Sequence, residues 1–416
     1  MSTFTLSPAQ PLTLAGLAAL LADGRPVALA DDARARLLPG PHPAPDAAAQ
    51  PLAHRMLAHA GGLGAEVPPL LVRLTLLLKA QRLTLDGPPG VRLATVERLL
   101  AHYNRELLPV LYEQGTLALA HLCLPLLGLG EVNYQGYRLA AADALGLFSW
   151  APLPLGAAEA AALVHGPEVV LAYAVESVLR AQRLAAAADV IGALSTLAVE
   201  EMAAGAPRPS PFCSLAPVHG ASRAALAYAA HAVEAACNAG PGLVPESEPH
   251  GPLWGGGDGR AQALALVLDH LALAVAGLSS ASARRTDELG ADPARATGLL
   301  VAQRSAAGLV DQNGLLCAPA SVGGGQRGRG PEDDVSRGVN AATQARRVVE
   351  NAEQVLGIEL LTAVRIRAGG PAAPLPAALE RAAAAFRAAV PVAGPDQPLA
   401  ADLRGAAAFV RKFDWS

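Results

Sequence analysis

Residues 261–278, AQALALVLDHLALAVAGL, indicate the fold class more clearly than any other part of the sequence. Their apolar side chains recur three, four and seven positions apart, which is the spacing of one face of an α-helix. The positions at this spacing are Leu264, Val267, Leu268, Leu271, Val275 and Leu278. Gln262, Asp269 and His270 interrupt the apolar run. The segment is therefore typical of a buried core helix and not of a membrane span.

Helical periodicity extends over most of the chain. Residues 157–203 and 260–289 carry it over lengths that exceed ordinary globular helices and suit the central bundle of a large helical assembly. Shorter helical patterns cover residues 52–60, 68–81, 91–108, 116–128, 221–237, 296–311 and 337–363. Segments rich in Pro and Gly separate them. The sequence therefore predicts an all-α fold built on a bundle of long central helices.

The two ends of the chain differ from this helical body. PVALA, residues 26–30, predicts a short strand, and Asp31 or Asp32 is placed to cap the helix that follows. After Arg367 the sequence is low in complexity, and it predicts one amphipathic helix and a weakly structured end. We predict a small α+β N-terminal part in residues 1–135, the long-helix bundle in 136–370, and a low-complexity and helical tail in 371–416.

Composition limits the classes of function. Hydrophobic residues make up 52% of the 416 residues and charged residues 16%, so the chain holds more apolar surface than a monomer needs to bury. This favours a homo-oligomer, although a biased genome would also raise the alanine content. The formal net charge is -4 and no basic tract stands out, so a nucleic-acid partner is not expected.

The cysteines and the N-terminus predict a cytoplasmic protein. Cys123, Cys213, Cys237 and Cys317 show no metal-like pairing and are typical of reduced, mostly buried thiols. The first residues, MSTFTLSPAQPLTL, lack a basic region followed by an apolar stretch, so they do not predict a secretion signal. Neither a membrane nor a metal is expected as a partner.

Several segments, taken in order, resemble the histidine and phenylalanine ammonia-lyase family. They are RMLAHAGGLG (55–64), LALAHLCLPLLGLGEVNYQG (117–136), AAEAAALVHGP (157–167), the region from TGLLVAQRSAAGLVDQNGLL to PEDDVS (297–336), and AEQVLGIELLTAVRIR (352–367). Each motif alone is degenerate, but their order and spacing together are specific. The resemblance implies an all-α fold of the ammonia-lyase and fumarase type, and a homotetramer.

The family's electrophile has no counterpart in this chain. These lyases build a methylidene-imidazolone group (MIO) from consecutive Ala, Ser and Gly residues, which requires an eliminable hydroxyl flanked by small residues. The matching triplet here is Glu113, Gln114 and Gly115. Gln114 has no β-leaving group, and Glu113 is bulky and charged. We therefore expect no MIO group and no other cofactor.

Two further departures concern proton transfer and carboxylate binding. The family's tyrosine-bearing loop should fall in PGPHPAPDAAAQPLA (39–53), which has no Tyr. The segment between SPF (210–212) and GGGDGR (255–260) is too short for the family's Tyr-X-X-Arg loop, whose arginine binds the substrate carboxylate. Loss of a proton-transfer group alone costs about two to four orders of magnitude in rate. Ordinary ammonia-lyase activity is not expected.

Six positions are candidates for the site that the resemblance implies. We assign catalytic roles to His59, Glu159 and Glu332, and substrate-binding roles to His165, Glu113 and Gln114. His59 could instead be a satisfied histidine at the end of an apolar helix, and Glu332 a solvated acidic helix start. A metal cluster that includes His121 is disfavoured, because no two ligands fall at metal-binding spacing on one helix. On helix 91–108, Tyr103 is expected in the core and His102 at the surface.

Functions of different classes stay open. The first is a degenerate lyase homologue, a pseudoenzyme that binds a small amine-bearing ligand or a biosynthetic partner. The second is an active carbon–nitrogen lyase, or an enzyme with MIO-independent chemistry, acting on an amino acid or a derivative. The third is a lyase with an unrecognised electrophile. If His59, Glu159, His165 and Glu332 surround one pocket that touches Glu113 or Gln114, its negative charge predicts a preference for amines over free carboxylates.

Overall fold

A computed structural model describes most of the chain as two compact units. The described residues are 3–37, 56–57, 60–87, 90–114, 118–202, 215–240, 260–290, 299–322, 332–369, 374–390 and 399–415. The first unit comprises Met1–Glu176, Ala230–Val267 and Ala320–Thr343, and the second comprises Ser177–Ala229, Leu268–Pro319 and Gln344–Ser416. These units interleave along the chain, whereas the parts expected from the sequence are consecutive. That consecutive division stays a prediction.

The first unit begins with a small α/β element. Strands β1 (Phe4–Leu6) and β2 (Val27–Leu29) pair in parallel, and helix α1 (Leu14–Asp23) connects them. The strand expected at 26–30 is therefore confirmed. Helix α2 (Asp31–Arg36) follows, but Ala30 is its N-cap and no side chain caps it. The expected aspartate cap is wrong, because Asp31 and Asp32 already lie in the first turn and Asp32 accepts a hydrogen bond from Ser7.

Helices and short antiparallel strands form the middle of the first unit. The helices are α3 (Pro69–Asp86), α4 (Leu93–Asn104), α5 (Ala118–Cys123), α6 (Ala141–Leu147) and α7 (Ala157–Val164). The strands are β3 (Leu63–Glu66), β4 (Leu108–Pro109), β5 (Tyr112–Gln114), β6 (Glu131–Tyr134) and β7 (Tyr137–Ala140). Strand β3 pairs with β5, while β4, β6 and β7 form a second antiparallel sheet in that order. The helix expected at 116–128 is α5 followed by a 3₁₀ turn, Leu124–Leu127.

The long helices confirm the expected all-α class. They are α8 (Glu168–Met202), α9 (Leu215–Cys237), α10 (Arg260–Leu289), α11 (Leu300–Leu316) and α12 (Glu332–Ala368). By length and composition, the stretches Glu159–Glu201 and Arg260–Leu289 could cross a membrane. However, 78% and 56% of the most apolar 18-residue segments in these two stretches are buried within the protein. That burial suits the core helices expected from the sequence.

One expected helix is broken in two. The pattern at 157–203 predicted a single helix, but α7 ends before His165 and α8 begins at Glu168. Gly166 lies between them with a φ of 132°, a conformation that only glycine adopts without strain. Pro167 follows and has no N–H to continue the first helix. The apolar period resumes after this turn, and the pattern alone therefore concealed it.

The tail contains more structure than its composition indicated. Helices α13 (Ala377–Ala389) and α14 (Ala400–Lys412) are both present, so the weakly structured end was wrong. Phe386 and Phe409 meet edge to face with ring centroids 5.3 Å apart, and Phe409 also contacts Phe413 and Trp415. These aromatic rings anchor α14 by packing.

The histidine expected at the surface is buried. Tyr103 lies in the core as expected, but His102 is also inaccessible, with 0% of its surface exposed. Its ring stacks on Trp150 with centroids 5.7 Å apart. Neither ring nitrogen has a hydrogen-bond partner among the described residues. Burial, reinforced by the nearby Arg98 cation, lowers the pKa of His102 to about 3.

This pKa predicts an acid-sensitive fold. The unfolded chain protonates His102 near its ordinary pKa of about 6.5, whereas the folded chain excludes that proton down to about pH 3. The contribution of the neutral ring to the free energy of unfolding is complete above about pH 6.5 and falls as the pH drops towards 3. When the pH is lowered from about 8 to about 5, we expect the unfolding temperature of His102→Phe to fall less than that of the parent. The matched control is His231→Phe at an exposed position on α9. Equal pH dependence of the parent and His102→Phe would contradict the prediction.

Candidate functional site

Glu113 and Gln114 lie on β5, and β5 pairs with β3. Leu63 is opposite Gln114 and Glu66 is opposite Tyr112, with an irregular register between them. Gly62 makes the close approach possible, since a Cβ atom there would lie 2.2 Å from the Tyr112 ring. The glycine-rich turn in RMLAHAGGLG therefore places these two candidate residues beside the strand that follows it.

The carboxylate of Glu113 is oriented by a tyrosine. The Tyr173 hydroxyl donates to Glu113 Oε1 at 3.1 Å. Tyr173 is buried on α8, whereas Glu113 is half-buried. Sequence reasoning missed Tyr173, although a tyrosine on the apolar face of VVLAYAVES signals a hydroxyl that needs a partner.

His121 contacts Tyr112, the residue next to Glu113 on β5. Its ring meets Tyr112 at an angle of 70°, with centroids 5.7 Å apart. Burial lowers the pKa of His121, and a hydrogen bond with the Ala60 backbone opposes this change. Its Nε2 atom is buried without a partner among the residues that the structure describes. Because adjacent strand residues point to opposite faces, the contacts of Tyr112 and Glu113 lie on different faces of β5.

Glu159 lies in a saturated ion pair. It is 1% exposed at the first turn of α7, and Arg92, at the start of α4, is 5% exposed. The Arg92 backbone N–H and Nε donate to Glu159 Oε1 at 3.1 and 3.0 Å, and Arg92 Nη2 donates to Oε2 at 2.6 Å. Thr95 also donates to Oε1. These contacts tie α7 to α4 and leave little acceptor capacity for a ligand, while the catalytic role of Glu159 stays a prediction.

His165 contributes its backbone to a buried charged network. Lys79 Nζ donates to the His165 carbonyl oxygen at 2.5 Å and to Glu168 Oε2 at 3.2 Å. Arg82 Nη1 donates to Glu168 Oε1, also at 3.2 Å. Burial lowers the pKa of Lys79, and Glu168 opposes that change. A Cβ at Gly166 would lie 2.4 Å from the Glu168 carboxylate, so the turn at His165 is held closely against this network.

His59 and Glu332 are the two remaining candidates. His59 lies outside the described residues, and Glu332 begins α12 but its side chain is not among the described ones. The convergence of His59, Glu159, His165 and Glu332 on one pocket therefore stays a prediction. Within the described ranges, no three metal-binding side chains come together. Cys123 and Cys237 are buried free thiols and Cys317 is half-buried, whereas Cys213 is outside the described ranges.

The sequence of this chain is similar to those of histidine ammonia-lyases. A profile of the family described as "Aromatic amino acid lyase" matches residues 42–205 and 211–388. Histidine ammonia-lyase of Symbiobacterium thermophilum is 34% identical, and the alignment covers 85% of this chain and 81% of that protein. Histidine ammonia-lyase of Deinococcus radiodurans is 36% identical over 76% of this chain and 71% of that protein.

Structural comparison extends the likeness over nearly the whole chain. The crystal structure of histidine ammonia-lyase from Trypanosoma cruzi superposes with a TM-score of 0.85 at 25% identity, covering 99% of this chain and 93% of that one. Ergothionase from Treponema denticola, solved with desmethyl-ergothioneine sulfonic acid, superposes with a TM-score of 0.80 at 17% identity and covers 98% of both chains. The expected fold of the ammonia-lyase type is confirmed.

Proposed function

Because the chain belongs to the aromatic amino acid lyase family, we propose that it binds a small, amine-bearing ligand without MIO-dependent release of ammonia. The observation that carries this proposal is the half-buried Glu113 carboxylate, oriented by Tyr173. It occupies the first position of the triplet that matches Ala-Ser-Gly in the family. A carboxylate at this position introduces a negative charge where the family's triplet has none.

The triplet also lacks the chemistry that builds the electrophile. Elimination of water needs a β-hydroxyl group, and the Gln114 side chain carries an amide instead. Glu113 has a bulky, charged side chain, and its hydrogen bond with Tyr173 further restricts the positions that this side chain can adopt. These two substitutions support a protein without an MIO group, which is a pseudoenzyme with respect to the family's reaction.

The charge of Glu113 favours an amine as the ligand's recognised group. Tyr173 uses one lone pair of the carboxylate, and an ionised carboxylate can accept about four hydrogen bonds. An ammonium group donates up to three hydrogen bonds, and charge-assisted bonds are about twice as strong as neutral ones. A free carboxylate at the same place would be repelled.

The same proposal includes assembly and location. We propose a cytoplasmic homo-oligomer, a tetramer as the resemblance implies, with a biosynthetic enzyme as a further partner. Within the second unit, α9 and α10 expose large apolar side chains at Val218, Tyr228 and Leu273. Exposed apolar side chains of this kind support association between subunits.

Calorimetric titration of the purified chain tests ligand recognition. Histamine supplies an amine without a carboxylate, and imidazolepropionate supplies the reverse. We expect histamine to bind and imidazolepropionate to bind at least about tenfold more weakly, since a hydrogen bond to a charged group contributes about 1.5–3 kcal/mol. Glu113→Gln should lose this preference, while Glu97→Gln on the exposed side of α4 should keep it. Binding of histamine that is unchanged by Glu113→Gln would refute the proposal.

The same preparation tests the alternative of an active carbon–nitrogen lyase. We expect no ammonia from L-histidine, L-phenylalanine or L-tyrosine, and no loss of two water molecules in the intact mass. The double substitution Glu113→Ala and Gln114→Ser should not restore turnover, because the tyrosine-bearing loop is still missing. Robust turnover by either protein would establish the alternative.

Light scattering of this sample tests assembly, and a monodisperse monomer at micromolar concentration would exclude the oligomer.

A further inference from the structure

The second unit contains a groove that is separate from the residues discussed above. Helices α11, α12 and α14 line it, and its volume is about 720 Å³. Pockets that enclose small organic ligands have volumes of about 300–1,000 Å³. The groove therefore has the size of a binding site for a molecule larger than a single amino acid side chain.

The floor of the groove is apolar. Leu309, Ile358, Leu403 and Ala407 line it, and the first three belong to or pack against a core cluster that includes Val355. An apolar body placed on this floor would cover surface that is continuous with the core. Burial of apolar surface contributes about 25 cal/mol for each Å² removed from water.

Two glycines explain why a groove exists between these helices. At Gly357, a Cβ atom would lie 2.8 Å from the Ala407 backbone nitrogen, so α12 and α14 approach backbone to backbone. At Gly308 on α11, a Cβ atom would have no neighbour within 4 Å among the described residues, so none of their side chains fills the space there. The close contact on one side and the missing side chain on the other leave the groove open.

The rim carries more positive than negative charge. Arg404 and Arg411 lie seven residues apart on α14, which places them on one face of the helix. Arg411 donates to Glu353 Oε2 at 2.7 Å, but Arg180 already binds both oxygens of that carboxylate. Arg404 lines the groove and is exposed to solvent. The groove lining therefore includes two guanidinium groups, and the Glu353 carboxylate beside Arg411 is shared with Arg180.

The neighbouring acid does not balance this charge. Glu350 Oε1 is 3.8 Å from Arg180 Nη1 but only 2.8 Å from Arg346 Nη1. It also lies 3.5 Å from Arg347. The polar rim adds a donor, since Gln312 Oε1 accepts from Asn351 at 2.8 Å and this leaves the amide N–H groups of Gln312 for the groove.

From this arrangement we propose that the groove binds an organic anion, a carboxylate with an apolar hydrocarbon body. The carboxylate lies between Arg404 and Arg411, and guanidinium groups match carboxylates in a planar, two-bond geometry. The apolar body lies on Leu309 and Ile358. This ligand class is opposite in charge to the amine proposed for Glu113, and the inference does not depend on that proposal.

Titration of the full chain with naphthalene-2-carboxylate tests the groove. We expect saturable binding with one ligand for each chain, and at least about tenfold weaker binding of the uncharged naphthalene-2-carboxamide. Arg404→Gln should weaken binding of the carboxylate at least about tenfold and leave binding of the carboxamide unchanged. Bound ligand should also slow amide hydrogen exchange in residues 400–412.

Two pairs of matched variants localise the ligand. Gly308→Leu fills the groove, while Gly314→Leu puts the same side chain at another open position of the same helix, where a Cβ also has no described neighbour within 4 Å. Arg387→Gln removes a guanidinium from α13, where the ion pair with Glu380 is exposed. We expect Gly308→Leu to lose binding and both controls to retain it. Absence of saturable binding, equal affinity for the carboxamide, or equal effects of the two glycine substitutions would overturn the proposal.

Discussion

Glu159→Gln is expected to lower the free energy of unfolding by about 3–5 kcal/mol, because it removes the charge that compensates a buried guanidinium. Glu159 is 1% exposed and Arg92 5% exposed, so water cannot replace the lost partner. The hydrogen bonds from Arg92 also connect α7 with α4, and their weakening should loosen both helices. Thermal and urea unfolding of parent and variant, under identical conditions, measure this difference.

An exposed ion pair in the same unit provides the control. Glu66 pairs with Arg138 with both side chains about two-fifths exposed, and such surface pairs contribute about 0–1 kcal/mol. Glu66→Gln should therefore change stability little. The double substitution Arg92→Met and Glu159→Leu should recover much of the loss, since apolar residues can replace a buried ion pair. If Glu159→Gln proved as harmless as Glu66→Gln, the contacts of Glu159 would not be structural, and its predicted catalytic role would be the better account.

Phe386→Ala is expected to cost about 3–5 kcal/mol, which is the usual range for a large aromatic side chain removed from a core. Phe386 is 0% exposed, and its ring lies edge to face on Phe409 of α14. The cavity would remove the edge-to-face aromatic contact between α13 and α14. We therefore expect faster hydrogen exchange in residues 400–412 as well as a lower unfolding temperature.

Two substitutions separate this effect from a general loss of aromatic surface. Phe386→Leu retains most of the apolar volume and should be milder than Phe386→Ala. Tyr137→Ala removes an aromatic ring that is largely exposed on β7, and its effect should stay within about 0.5 kcal/mol. Hydrogen exchange in α14 that is unchanged by Phe386→Ala would show that other contacts hold this helix.

The long helices could be read from the sequence because their signal is local. The bounds of α10 agree with the expected range 260–289. The recurrence of an apolar residue every three to four positions predicts a helix without information on the segments that pack against it. The break between α7 and α8 was visible in principle in His165, Gly166 and Pro167. It was missed because the apolar pattern continues on both sides of the turn.

The candidate site could be located only in outline. Motif order indicated Glu113, Gln114 and Glu159 as candidates, but it did not reveal the contacts that define what these side chains do. Tyr173 lies 60 residues from Glu113 in the chain, and Arg92 lies 67 residues from Glu159. Contacts over such distances depend on how helices pack against strands, and no local pattern records that packing.

Local patterns in the sequence were sufficient for the helical class, the long central helices and the strand at β2, because backbone propensity and apolar period act over a few residues. They were insufficient for His102, whose buried ring stacks on Trp150 of a later segment. They were also insufficient for α14, because Phe409 of this helix packs on Phe386 of another helix. Burial and pairing are set by neighbours in space, so these features arose only when distant segments packed together.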